Sequence, residues 1–169
     1  PQPREVTSWQ DFRKHFGQAA RIRVNGRDTL NHMLYSANAY FQNGGRKMLV
    51  APVARFGAAA PDAADYSAAL AASLAFADIT LVHAPGAATW TQREAIEDVL
   101  VAHVENTPGR FLLLDPRAAR NLAQVRAQRA RLDTSHAALY YPWIIANDAL
   151  ATAGAASITL PPGGFMCGI

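Results

Sequence analysis

The chain has a single cysteine, Cys167, among its 169 residues. An internal disulfide is therefore impossible, and a small secreted scaffold stapled by disulfides is excluded. Charge is sparse as well: Asp, Glu, Lys and Arg make up 17% of the chain, and the formal net charge is only +3. So small a basic excess does not call for a nucleic-acid partner. No run of about 18 apolar residues occurs, so no segment reads as a membrane-spanning helix. The opening PQPREV has no initiator Met, no basic stretch and no apolar core of a signal peptide. Since the chain also stops just after the turn-like PPGG, the expectation is a portion cut at both ends from a longer polypeptide.

What is present is apolar and small. Half the residues are hydrophobic, and alanine fills roughly a fifth of all positions, a composition for a packed globular core with closely apposed helices. TSWQDFRKHFG reads as a short helix, with Thr7 or Ser8 as cap and Gly17 as terminator. After a polar turn at Asn25-Gly26, Leu30, Met33, Leu34, Ala37 and Phe41 form a helical stripe, with Asp28 as the expected N-cap. Asn43, Gly44 and Gly45 end that helix and lead into the strand RKMLVAPV. Residues 54–64 read as a loop. Downstream, helical stretches alternate with the apolar runs DITLVHAPG, RFLLLDP, HAALYYPWI and SITLPPGG. That alternation predicts an α/β fold: a mainly parallel sheet of about four to five strands, with helices on both faces. Residues 1–24 read as a lead segment with a short helix, and 25–169 as one α/β core domain.

In such a fold, ligands sit at the carboxyl ends of the strands. There, His83 and Asp115 could join a serine in a hydrolase triad, but the G-x-S-x-G elbow is missing. His83 therefore reads as a strand-end histidine with a local hydrogen bond. Asp115-Pro116 reads as the cap and first turn of the next helix. Glu94, Glu97 and Asp98 read as a solvated acidic helix face, and His103 borders that helix's apolar stripe. Arg117, Arg120, Arg126, Arg129 and Arg131 make another helix strongly basic, without the aromatic platform that nucleic acid needs. PPGGFMCG lacks both the Lys-Ser/Thr of a phosphate loop and the G-x-G-x-x-G of a dinucleotide site. Cys167 lies between Met166 and Gly168 with no charge nearby in sequence, which makes it a packing residue. No cofactor or metal site emerges.

Several segments, taken in order, resemble the tail sheath proteins of contractile-tailed phages and phage-like particles. TSWQDFRKHFG followed by YFQNGGRKMLVAPV (Asn43, Gly44, Gly45) is similar to that family's opening. FADITLVHAPGA (Pro85, Gly86) and GRFLLLDPR (Asp115) resemble its middle strands. AALYYPWI (Tyr141, Pro142, Trp143) followed by ITLPPGGFMCGI (Pro161, Pro162, Gly163, Gly168) resembles its most distinctive signature. Ala51-Pro52, Gly164 and Cys167 depart from the usual residues.

The resemblance implies a structural subunit rather than an enzyme. Its partners would be other sheath subunits and, through a further C-terminal region, the tail tube, with no nucleic acid and no membrane in the resting state. It would need no cofactor, and it would reside in a virion tail assembled in the bacterial cytoplasm. Arg117, Arg120, Arg126, Arg129, Glu94, Glu97 and Asp98 are the expected subunit contacts. Without linking extensions, the fragment is expected not to polymerise. The rival expectation is a flavodoxin-like ligand binder or hydrolase working near His83 and Asp115.

Overall fold

A computed structural model describes residues 2–53, 59–118, 120–151 and 156–169. The chain opens with β1 (Arg4–Val6) and then α1 (Trp9–Phe16). Ser8 caps α1 by accepting the Asp11 amide at 3.0 Å, and Gly17 ends it at φ 78°. Phe12 and Phe16 share one face as expected, their rings 5.2 Å apart. Strands β2 (Arg21–Val24) and β3 (Arg27–Leu30) form a hairpin. Asn25 and Gly26 both have positive φ, the geometry a two-residue hairpin turn requires. The division expected at residue 24 thus falls at the tip of a hairpin.

Helix α2 (His32–Gln42) starts later than its stripe suggests. Asp28 lies within β3, paired with Arg21, and Asn31 is the cap, accepting the Leu34 amide at 3.3 Å. The helix ends at Asn43, and Gly44 takes the positive φ of 104°. It leads to β4 (Met48–Val50), which pairs antiparallel with β1. Val6, Phe12, Leu34, Ala37 and Val50 close a first hydrophobic cluster.

The second cluster belongs to the parallel sheet. Helix α3 (Ala63–Ser73) is held at its start by a capping box between Asp62 and Asp65. Then come β5 (Leu81–His83), a single 3-10 turn at Ala87–Thr89, α4 (Arg93–Glu105) and β6 (Phe111–Leu114). Helix α5 (Leu122–Ala130), capped by Asn121, and β7 (Ala137–Leu139) follow. The strands run parallel in the order β5-β6-β7. Ile96, Leu100 and Val104 of α4 pack with Leu112 and Leu114 of the central strand, all buried. Last come β8 (Ile144–Asn147), β9 (Ser157–Leu160) and the short α6 (Gly163–Met166).

The parallel sheet therefore has three strands, fewer than expected, among the described residues. HAALYYPWI is not one strand: it leaves the sheet after Leu139, passes the cis Tyr141-Pro142 bond, and resumes as β8. Pro142 has no amide to give a ladder. ITL belongs to β9, antiparallel to β8 in a separate pair. Exposed residues alternate with partly or fully buried ones along β8 and β9, as in strands with one wet face. The NGG strand, β4, pairs with β1 and not with β5. Among the described residues, no helix is long and apolar enough to cross a membrane.

Candidate functional site

The motif residues from four strand ends meet in one buried joint. His83, at the end of β5, shares a 2.8 Å hydrogen bond between its Nε2 and Oδ2 of Asp115, just past β6. Their side chains are 8% and 3% exposed. The other carboxylate oxygen, Oδ1, accepts the Gly163 amide of α6 at 2.8 Å. One residue on, the Pro116 carbonyl accepts the Trp143 indole N–H at 2.7 Å, and the Trp143 ring stands edge-on to His32 at 5.8 Å. Asp115 thus does not cap α5; that role falls to Asn121, six positions later. His83 has a partner 32 residues away rather than a local one.

Glycines make the joint possible. A β-carbon on Gly163 would lie 2.3 Å from Nε2 of His83, and one on Gly86, at φ 80°, would lie 2.9 Å from the His32 ring. Farther along, a β-carbon on Gly164 would meet Cα of Ser36 at 2.6 Å. One on Gly168 would meet the Tyr40 carbonyl at the same distance. Gly164 and Gly168 are four apart, as are Ser36 and Tyr40, so the C-terminal turn lies against one stripe of α2 at backbone contact. Gly45 is excluded from any side chain by the Tyr40 ring, and the Tyr40 hydroxyl donates to the Lys47 carbonyl at 2.5 Å. Gly45 and Gly168, 123 residues apart, therefore both close on Tyr40.

The electrostatics of the joint disfavour nucleophilic chemistry. Burial pushes the Cys167 thiol up to about 12, and the Asp115 charge adds to that effect. His32 is pushed down to about 4 by burial, with Asp115 opposing and His83 reinforcing. It is neutral at pH 7, and its Nδ1 is buried without a hydrogen-bond partner. A triad needs a hydroxyl or thiol on the histidine's other nitrogen. Among the described residues, the only side chain hydrogen-bonded to His83 is Asp115. Also among them, no group of three His, Cys, Asp or Glu could hold a metal ion. A cleft of about 550 Å³ opens beside the joint, with His32, Ser36, His83 and Cys167 among its lining residues.

The charged residues form a different arrangement from the two faces expected. Arg131 reaches Glu97 at 3.4 Å, Asp98 at 3.4 Å and Glu94 at 3.9 Å, so the basic and acidic helices partly neutralise each other. Glu97 is not on a solvated face: its side chain is buried, and Gln128 donates to it at 2.6 Å. Burial raises its pKa, against the pull of Arg131 and Gln128. Glu94 and Asp98 are exposed, as are Arg117, Arg126 and Arg129, while Arg120 is half-buried. Arg129 donates to the Leu132 carbonyl. Among the described residues, Arg117, Arg120, Arg126 and Arg129 form no ion pair.

Sequence reasoning passed over His32 and Arg110. Arg110 is 4% exposed and donates to the Ser73 hydroxyl and carbonyl, the Phe76 carbonyl and Nε2 of His103. It closes the C-terminal end of α3, where carbonyls lack helical partners. An arginine at the head of an apolar strand was the available signal. His32 offered none, because its neighbours come from β5, β6 and the Trp143 turn. Of the motif residues, Asn43 bonds back to the Ala39 carbonyl at 2.8 Å, Pro161 and Pro162 are buried, and Tyr141 is exposed. No family model matches the chain, and neither does any curated protein.

Proposed function

We propose that this chain is the α/β core of a contractile-sheath subunit, a structural part that stacks with its own kind around a tail tube. One observation carries the reading. Gly86, Asp115, Trp143, Gly163 and Gly168, positions of the resemblance, are spent on holding the molecule together. Both oxygens of Asp115 are engaged within the protein, and the nearby thiol is held protonated. Such a joint suits a part that transmits force better than one that turns over substrate. In this reading the exposed Arg117, Arg126 and Arg129, with Arg120, Glu94 and Asp98, supply contacts between subunits. Glu97 serves inside the molecule. Contraction would be a change between two sets of such contacts.

Electron microscopy of the protein as its host makes it tests the proposal. Rings or tubes are expected, and a small monodisperse oligomer overturns it. Reversing the charges at Arg126 and Arg129 is expected to impair assembly or contraction. Unchanged behaviour removes those residues from the interface.

A ligand-binding or hydrolytic reading is favoured by one feature, the buried His83–Asp115 pair beside a sizeable cleft. Turnover of a model ester that disappears with Asp115→Asn in a folded protein would select that reading.

A further inference from the structure

The two hydrophobic clusters face each other across one seam. On one side, β4 carries Val50 into the cluster of Val6, Phe12 and Leu34. On the other, β5 is the edge of the parallel sheet and pairs only with β6 among the described residues. The cleft of about 550 Å³ lies between them, lined by residues 48–53 of one and 80–84 of the other.

Both ends of this β4 segment already touch the opposite side. Lys47, just before β4, is ion-paired with Asp78, ahead of β5. Val53, beyond the far end of β4, packs against the same cluster as Val82 and Ala84. Lys47 and Asp78 are 31 positions apart, and Val53 and Ala84 have that same spacing. Carried along both segments in parallel, the spacing of the Lys47–Asp78 ion pair sets Val50 opposite Leu81.

The facing surfaces have the character of strands that bury each other. Met48, Leu49, Ala51, Val53, Val82 and Ala84 are only half-buried, and Leu81 is 45% exposed. Continuous apolar runs of this kind belong to strands covered on both faces. A bare edge carrying them invites unwanted pairing. The backbone agrees. The Thr80 carbonyl accepts the Phe111 amide at 2.7 Å. By the alternation along a strand, the N–H and C=O groups of Leu81 and His83 therefore point away from β6, toward the cleft.

We propose that β4 and β5 zip together as parallel neighbours, converting the three-stranded sheet into a mixed sheet of order β1-β4-β5-β6-β7 and closing the cleft. The joint at Asp115 and Gly163, with the α2–α6 contact, holds the two sides together beside the seam. This inference stands apart from the sheath reading, since it uses only strand edges, their end contacts and the cleft.

Amide hydrogen exchange and nuclear Overhauser contacts, measured by NMR on the whole chain, test it. The β6 amides, Phe111–Leu114, serve as the internal standard for a folded sample. The Leu81 amide is expected to exchange more than about tenfold slower than an unpaired amide, the mark of a hydrogen bond that opens only transiently. Contacts between Leu81 and Val50 are expected with it. Exchange of Leu81 at the unpaired rate while β6 stays protected overturns the proposal, as does protection without contacts to Val50. Protection that rises with protein concentration also overturns it, because a second copy would then be covering the edge.

Discussion

At the scale of single residues, His32 sets a pH limit on the fold. Its folded pKa of about 4 lies below its ordinary value of 6.5. The unfolded chain therefore takes up a proton that the folded chain refuses. Stability is unaffected by this group above about pH 6.5 and falls as pH drops from there toward 4. By pH 4.5 the loss from His32 is about 2 to 3 kcal/mol. Urea unfolding of the protein and of His32→Gln, each followed from pH 7 to pH 4.5, checks it. The variant is expected to lose markedly less stability over that interval, and equal losses would clear His32. Gly164 and Gly168 set a limit of another kind. A methyl group at either meets backbone rather than a movable side chain. Gly164→Ala or Gly168→Ala is expected to cost about 1 to 3 kcal/mol in thermal or denaturant unfolding. A neutral result would mean that the C-terminal turn does not rest on α2.

Between elements, the α4–α5 contact turns on one buried carboxylate. Glu97 has a raised pKa because burial disfavours its charge. It therefore costs stability as pH rises above the ordinary carboxylate value, and Arg131 offsets part of that cost. Arg131 is partly exposed and solvent weakens its pull, so Arg131→Ala should destabilise by only about 1 to 2 kcal/mol at pH 7. The loss should shrink toward pH 4.5, where Glu97 can take up a proton. Adding Glu97→Gln should restore most of the stability. If the double variant is no better than Arg131→Ala alone, the loss comes from Arg131 packing rather than from the stranded charge. The caps of these helices were legible to different degrees. The cap of α1 could be narrowed to Thr7 or Ser8 from its own neighbours, since a cap contacts residues two or three positions on. That of α2, Asn31, could not, because the hairpin before α2 draws Asp28 into a strand.

For the molecule as a whole, the joint at Asp115 ties the parallel sheet to the C-terminal turn that packs on α2. Asp115→Ala would leave the His83 ring and the Gly163 amide buried without their partner. A loss of about 3 to 5 kcal/mol follows for breaking a buried charged contact from one side. The variant is also expected to unfold in two steps, with circular dichroism and tryptophan fluorescence no longer coinciding. A single coincident transition at lower denaturant would show that the cores are coupled elsewhere, with the α2–α6 contact the first place to look.

The sequence by itself determined the local events: a cap at Thr7 or Ser8 and the stop at Gly17, the Asn25-Gly26 turn, the stripes of α2 and α4, and the apolar strands with their breaks at proline and glycine. Each depends on residues within a few positions of one another, where backbone sterics and helical or strand period decide. It also showed that PPGG lacks the Lys-Ser/Thr of a phosphate loop and the G-x-G-x-x-G of a dinucleotide site. Only the tertiary structure decided which strands pair. β4 goes to β1, and the continuation of HAALYYPWI goes to a hairpin of its own, because register depends on partners distant in the chain. The same holds for charge and burial. Glu97 and Glu94 look alike on a helix, and only the packing of α5 over one of them makes it a buried acid. Likewise, His83 and Asp115 become a single buried unit only when two parallel strands end side by side and a glycine-rich turn closes over them.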